Sequence, residues 1–113
     1  MKRNFVLIFV FTVASLTYCT SSKKVASTAD AVSYEKNIQP VVAASCAPCH
    51  LPSKGGKKPP LENYTDVVYN IDEIIRRIEM HPGEKGFMPA KKPRLSDSTI
   101  NLFKDWKKTG LAK

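Results

Sequence analysis

The sequence predicts an all-α domain of three main helices joined by long loops. Val67, Val68, Ile71, Ile74, Ile75 and Ile78 recur at offsets 0, 1, 4, 7, 8 and 11, one uninterrupted apolar stripe at helical period. Thr99, Leu102, Phe103 and Trp106 share a face of a later segment that Gly110 closes. No run alternates apolar and polar residues as a half-buried strand would, and no internal repeat occurs in the sequence.

The first residues stand apart from that domain. Lys2 and Arg3 precede a mostly apolar run from Phe5 to Leu16. Such a run is short for spanning a bilayer, which takes about 20 residues; it reads as an export signal over residues 1–18, with a permanent amino-terminal anchor as the alternative. Leu16-Thr17-Tyr18-Cys19 is similar to a lipoprotein signal, in which the cysteine is lipidated; Tyr18 departs from the small residue usual there. Cleavage after Ala31 is the alternative. Residues 19–33, rich in Ser, Thr, Ala and Lys, read as a flexible tether, and residues 34–113 as the domain. Either cut delivers an exported protein, in the periplasm or held by lipid at Cys19 to a membrane face of the bacterial envelope. That lipid is the only membrane contact expected.

The chain of 113 residues has a formal charge of +8, which falls to +6 without Lys2 and Arg3. Its Lys and Arg residues are scattered and no nucleic-acid motif accompanies them. The charge is read as solubility plus attraction to an acidic protein partner, with no nucleic acid.

Within the domain, the first helix is expected from Tyr34 to Ser45. Ile38, Val41, Val42 and Ser45 lie near one face, and Pro40 limits or kinks it. The second starts at an Asn63 N-cap, with Asp66 in its first turn, and stops at Pro82-Gly83. The third runs from about Ser96 to Thr109, capped by Ser96 or Asp97. Two loops dense in Lys, Pro and Gly separate them, Leu51 to Glu62 and Pro82 to Leu95. Long loops in a small domain usually carry function. A core of roughly 80 residues also buries too little apolar surface to be very stable alone, so something should staple it.

Ser45-Cys46-Ala47-Pro48-Cys49-His50 holds the chemistry. A structural zinc needs four ligands, normally two such cysteine pairs, and only one pair is present beside His50 and His81. A thioredoxin-like disulfide sits at the start of a helix in a βαβ unit; this pair follows a helix, with no strand before it. A plain disulfide across two residues closes a trivial loop and adds little. The third reading is covalent haem: two thiols add to the porphyrin vinyls and the histidine takes the iron. Haem also supplies the missing staple, and export suits its attachment. Haem of this kind needs a sixth ligand. Met80 points away from the apolar stripe, His81 falls on its apolar side, and Met88 stands in the loop Gly86-Phe87-Met88-Pro89, stiffened by Pro89.

Tyr34 through Leu111 resembles a small single-haem cytochrome c domain of the class I type. Cys46, Cys49 and His50 match its haem-attachment motif, Met88-Pro89 its axial-methionine loop, and Leu95-Ser96-Asp97 through Trp106 and Gly110 its terminal helix. Pro59-Pro60-Leu61 resembles the segment whose proline carbonyl orients the proximal histidine, which implies that role for Pro59 and places Leu61 at the cofactor. Ala90 departs from a proline common after the Met-Pro pair, and Pro40 interrupts the first helix. The resemblance implies helices wrapped around one covalently attached haem c, with iron held by His50 and Met88.

With both axial positions filled, no site is left for substrate chemistry, and the expected function is electron transfer rather than enzymatic catalysis. Lys54, Lys57, Lys58, Lys91, Lys92 and Arg94 lie on the two loops near the expected haem edge. They would steer an acidic redox partner, balance the haem propionates, or simply be solvated. The alternative function is a haem-binding accessory subunit or ligand sensor of a larger oxidoreductase.

Overall fold

A computed structural model describes residues 31–113; the expected export signal, Cys19 and the tether before residue 31 lie outside the described residues. The chain forms a π-helical turn Tyr34–Ile38 that runs into α1 (Gln39–Ser45). A 3-10 turn Pro52–Lys54 follows, then α2 (Tyr64–Tyr69), α3 (Ile71–Glu79) and α4 (Asp97–Lys108). No strand occurs among the described residues, and the fold is helical as expected. None of these helices is long and apolar enough to cross a membrane.

The first helix is not the uniform segment expected from Tyr34 to Ser45. Pro40 has no N–H to give the Lys36 carbonyl, and its ring crowds that carbonyl. The chain responds by widening the preceding turn, so that Gln39 N–H reaches the Tyr34 carbonyl five residues back. Pro40 then sits in the first turn of α1, where a missing donor does no harm.

The second helix also departs from expectation: it breaks at Asn70 into α2 and α3. Asn63 caps α2 as predicted, its side chain accepting from Asp66 N–H at 3.1 Å. At Asn70, ψ is 8° and the side-chain Nδ2 donates to the Asp66 carbonyl at 2.8 Å. The Asp66 carbonyl also keeps the bond from Asn70 N–H, at 3.2 Å, so the asparagine is tied to local backbone twice and ends the regular turn there. The stripe survives the break. Val67, Ile71, Ile74 and Ile78 are buried, and Val68 and Ile75 pack against them.

The core joins these residues to Ile38 and Val42 from the first segment, Leu51 and Leu61 from the loop, and Ile100, Phe103 and Trp106 from α4. Ile100 takes the central place expected of Thr99, which is only partly buried. Ser96 caps α4 by accepting from Thr99 N–H at 3.2 Å. Ion pairs Lys104–Glu79, at 2.8 Å, and Lys107–Asp72 link α4 to α3; both are exposed and contribute little.

The end of α4 closes the domain. Gly110, at φ 97°, allows Leu111 N–H to reach the Trp106 carbonyl at 2.9 Å and Gly110 N–H the Lys107 carbonyl at 3.3 Å. The chain then returns to the first helical turn. The Ala112 carbonyl accepts from both Tyr34 N–H, at 2.8 Å, and Trp106 Nε1, at 2.7 Å. The Tyr64 hydroxyl donates to the Leu111 carbonyl at 2.8 Å.

Candidate cofactor cleft

The Cys46–His50 segment leaves the C-terminal end of α1 as a compact turn. Cys46 N–H still bonds to the Val42 carbonyl, at 2.9 Å, and His50 N–H closes back on the Cys46 carbonyl at 3.1 Å. The following loop then folds against this turn. Lys58 N–H donates to the Cys49 carbonyl at 3.0 Å and Leu61 N–H to the His50 carbonyl at 2.8 Å. Gly56 makes the approach possible, since a Cβ there would lie 2.6 Å from the Cys49 carbonyl oxygen and also against that of Pro48. Glu62 holds the loop's far end by accepting from the Ser53 hydroxyl and from Ser53 N–H. Those bonds keep its carboxyl below the usual range.

The loop thereby delivers the Pro59 carbonyl to His50 Nδ1, at 2.8 Å. A carbonyl only accepts, so Nδ1 carries the proton. The other nitrogen, Nε2, is then left with its lone pair for a metal.

His50, Cys46 and Cys49 line a cleft of about 580 Å³. Val41 of α1, Ile74 and Ile78 of α3, Phe103 of α4 and the loop residue Leu95 give it an apolar wall. Met88, Pro89 and Ala90 contribute a further wall from the loop after α3. That loop is clipped in place, with Met88 N–H on the Arg77 carbonyl at 3.2 Å and Arg77 Nη1 on the Gly86 carbonyl at 3.3 Å.

Of the residues singled out in the sequence, Cys46, Cys49, His50, Leu61 and Met88 line this one cleft, and Pro59 stands behind His50. Neither Met80 nor His81 lines it, and His81 is exposed. The basic loop residues divide. Lys58, Lys91 and Lys92 line the cleft. Lys92 is a structural clamp: its Nζ donates to the Ala44 carbonyl at 2.5 Å and the Ala47 carbonyl at 3.1 Å, capping α1 from the Met88 loop. Arg94 is paired with Asp97 at 2.7 Å. Lys54 and Lys57 are exposed and carry no ion pair among the described residues.

Burial pushes the Cys46 thiol up to about 11, with Lys92 opposing weakly, so the group stays a protonated thiol at neutral pH. Cys46 and Cys49 are not bonded to each other. Among the described residues no three His, Cys, Asp or Glu side chains converge on one point, so a tetrahedral zinc finds no ligand set there.

Sequence reasoning missed Arg77 and Gly56, and named Lys92 as a loop cation without its clamping role. Arg77 follows Glu73 by four residues, a signal for an ion pair on the helix rather than for a cleft. Hydrogen bonds from Arg76 and Arg77 hold the Glu73 carboxyl down at about 2, from an ordinary 4.5. A depressed carboxyl contributes stability above its unfolded pKa and loses it as pH falls through the folded one. Between pH 4.5 and 2 the denaturant midpoint should therefore fall less steeply in Glu73→Gln than in the unaltered protein. Parallel curves over that window would remove the pair from the acid response.

Comparison with protein-family models, with curated proteins and with solved structures found no match for this chain.

Proposed function

We propose that this chain is a single-haem c-type cytochrome that carries electrons in the bacterial envelope. One observation carries the reading: a histidine fixed at Nδ1 by a backbone carbonyl shares an apolar cleft with two unbonded cysteines and a loop methionine. The residues fit the group. The volume lies within the range of about 300 to 1,000 Å³ usual for cofactor sites. Ile74, Ile78, Leu95 and Phe103 suit the faces of a macrocycle, and four cations line the same cleft with no carboxylate among its lining.

Cys46 and Cys49 would hold the haem covalently, and His50 Nε2 and the Met88 thioether would be the protein ligands to its iron. When bound, the haem iron supplies a one-electron couple, which thioether ligation and an apolar shell raise in potential. The chain's own residues do the rest. The Pro59 carbonyl keeps the His50 tautomer and ring orientation. Arg77 and Lys92 hold the Met88 loop against α3 and α1. Leu61 and Leu95 add apolar surface to the cleft wall. With His50 and Met88 both holding iron, no open position would be left for substrate, which supports a carrier over an enzyme. Lys91 of the cleft lining and the exposed Lys54 and Lys57 offer positive charge for an acidic redox partner.

The test is an absorption spectrum of the exported protein beside Met88→Ala, Met80→Ala and His81→Ala. Loss of the sulfur-to-iron band in Met88→Ala alone is expected. An unchanged Met88→Ala together with an altered His81→Ala would overturn the methionine assignment. Slow carbon monoxide binding by the ferrous protein is expected of a carrier; rapid binding would favour the ligand sensor. A protein exported without covalent haem ends the reading altogether.

A further inference from the structure

We infer that a smaller lobe of the cleft, beside Pro59, seats the two haem carboxylates, with Arg77 and Lys58 as their cationic partners; this rests on the haem reading above. The lobe, of about 320 Å³, is continuous with the main cleft, because His50, Lys58, Leu61, Ile74, Arg77 and Met88 line both. The two ends differ in what else they contain. Cys46, Cys49, Lys91 and Lys92 line the main cleft and not the lobe, while Pro59, Asn70 and Glu73 line the lobe and not the main cleft.

Haem is an amphipathic plate, with vinyl groups along one edge and carboxylates along the opposite one. Thioether bonds to Cys46 and Cys49 fix the vinyl edge at their end of the cleft. The carboxylate edge is then turned away from the cysteines, toward the lobe. Lys92, bonded to the carbonyls of Ala44 and Ala47, belongs to the cysteine end, so two of the four cleft cations are in the wrong place to meet the carboxylates. Arg77 and Lys58 are the two that line the lobe.

Glu73 is the one acid in the lobe, and its charge would oppose two carboxylates. It is already shared: Arg76 Nε and Nη2 each donate to it at 2.7 Å, and Arg77 Nε donates at 2.5 Å. Two guanidiniums on one carboxylate, with Lys58 beside them, leave positive charge in excess. Arg77 has capacity to spare, since its Nη2 donates to nothing among the described residues. A guanidinium with one edge committed to protein and another open is suited to bind a carboxylate rigidly. Asn70 likewise uses one N–H on the Asp66 carbonyl and retains the second.

The experiment compares the haem-loaded exported protein with Arg77→Gln, Arg77→Lys, Lys58→Gln and Lys91→Gln. It reads the propionate bending mode by resonance Raman and the midpoint potential by spectroelectrochemistry. In Arg77→Gln and Lys58→Gln the mode should shift, because its hydrogen-bond partner is gone. The potential should fall, since an uncompensated carboxylate favours ferric iron. A fall of up to about tenfold in the reduced-to-oxidised ratio is expected for Arg77→Gln, which is 59 mV for one electron. Arg77→Lys should recover most of the potential, and Lys91→Gln should leave the mode unmoved. An unmoved mode in both Arg77→Gln and Lys58→Gln, or a shift in Lys91→Gln instead, overturns the inference while the haem reading stands. If Arg77→Gln does not accumulate, the exposed Lys58 decides alone, and an unmoved mode in Lys58→Gln overturns it. A protein lacking covalent haem overturns both together.

Discussion

Trp106→Ala should unfold the domain or bring it close to unfolding. The indole is fully buried, its ring 6.0 Å from that of Tyr34 and 6.2 Å from that of Tyr64. Removing a buried Trp costs about 3–5 kcal/mol in transfer and cavity terms. A small domain has stability of only about 0.05–0.15 kcal/mol per residue, so the loss is a large share of the total. The indole N–H also anchors the Ala112 carbonyl, so its loss loosens the return of the chain to Tyr34. Trp106→Phe separates the two contributions. It keeps much of the bulk and gives up the N–H, with a smaller penalty of about 1 kcal/mol for the lost hydrogen bond plus some packing. Urea unfolding followed by far-UV circular dichroism measures both. Equal midpoints for the unaltered protein and Trp106→Ala would show that the aromatic clamp contributes nothing to the fold.

If the chain carries haem as proposed, Gly56→Ala should damage its attachment. Its Cβ would lie 2.6 Å from the Cys49 carbonyl oxygen and 2.8 Å from the carbonyl carbon, both backbone atoms. Backbone cannot rotate aside as a side chain does, so the loop and the Cys46–His50 turn must separate. That separation breaks the bond from Lys58 N–H to the Cys49 carbonyl and withdraws the Pro59 carbonyl from His50. Overpacking of this kind costs typically 1–3 kcal/mol, and here the strain falls on the residues proposed to meet the cofactor. A severalfold drop in covalent haem per exported protein is expected, read from the absorption spectrum against protein concentration. Gly55→Ala is the control. It has φ 80° with nothing within 4 Å of its Cβ position, so it should cost about 1–2 kcal/mol for the left-handed backbone and leave loading nearly intact. Normal loading in Gly56→Ala would mean that the close approach is not needed.

The two departures in the helices share a physical origin. Periodicity reports which face of a segment is apolar, and it reported correctly that Val67, Ile71, Ile74 and Ile78 lie on one side. It is blind to a side chain that bonds to a backbone carbonyl, as Asn70 does, because the apolar spacing survives such a break. At Pro40 the sequence announced a disturbance, but whether the chain would kink, stop or widen depended on what Tyr34 and Ile38 had to bury. Residues of the cleft divide in the same way. Cys46, Cys49 and His50 are legible because they act through adjacency in the chain, and spacing alone carries that signal. Arg77 and Lys92 are not, because each acts on residues far off in sequence. A lysine in a basic loop looks solvated until the fold brings Ala44 and Ala47 carbonyls beneath it.

By itself the sequence determined a helical domain with its apolar stripes, the cap at Asn63, a cap at Ser96 or Asp97, and a cysteine pair followed by histidine at a spacing suited to haem. Local chemistry suffices for each, since propensity, capping and motif spacing act over only a few residues. The tertiary structure put Met88 in the cleft and left Met80 and His81 out of its lining, and it set the Pro59 carbonyl 2.8 Å from His50, a contact that the sequence had offered only through resemblance. It also separated the lysine that clamps α1 from those left for a partner or a carboxylate. These contacts join segments distant in the chain, and their geometry follows from packing α4 against α3 and against the first helical turn, which no local pattern encodes.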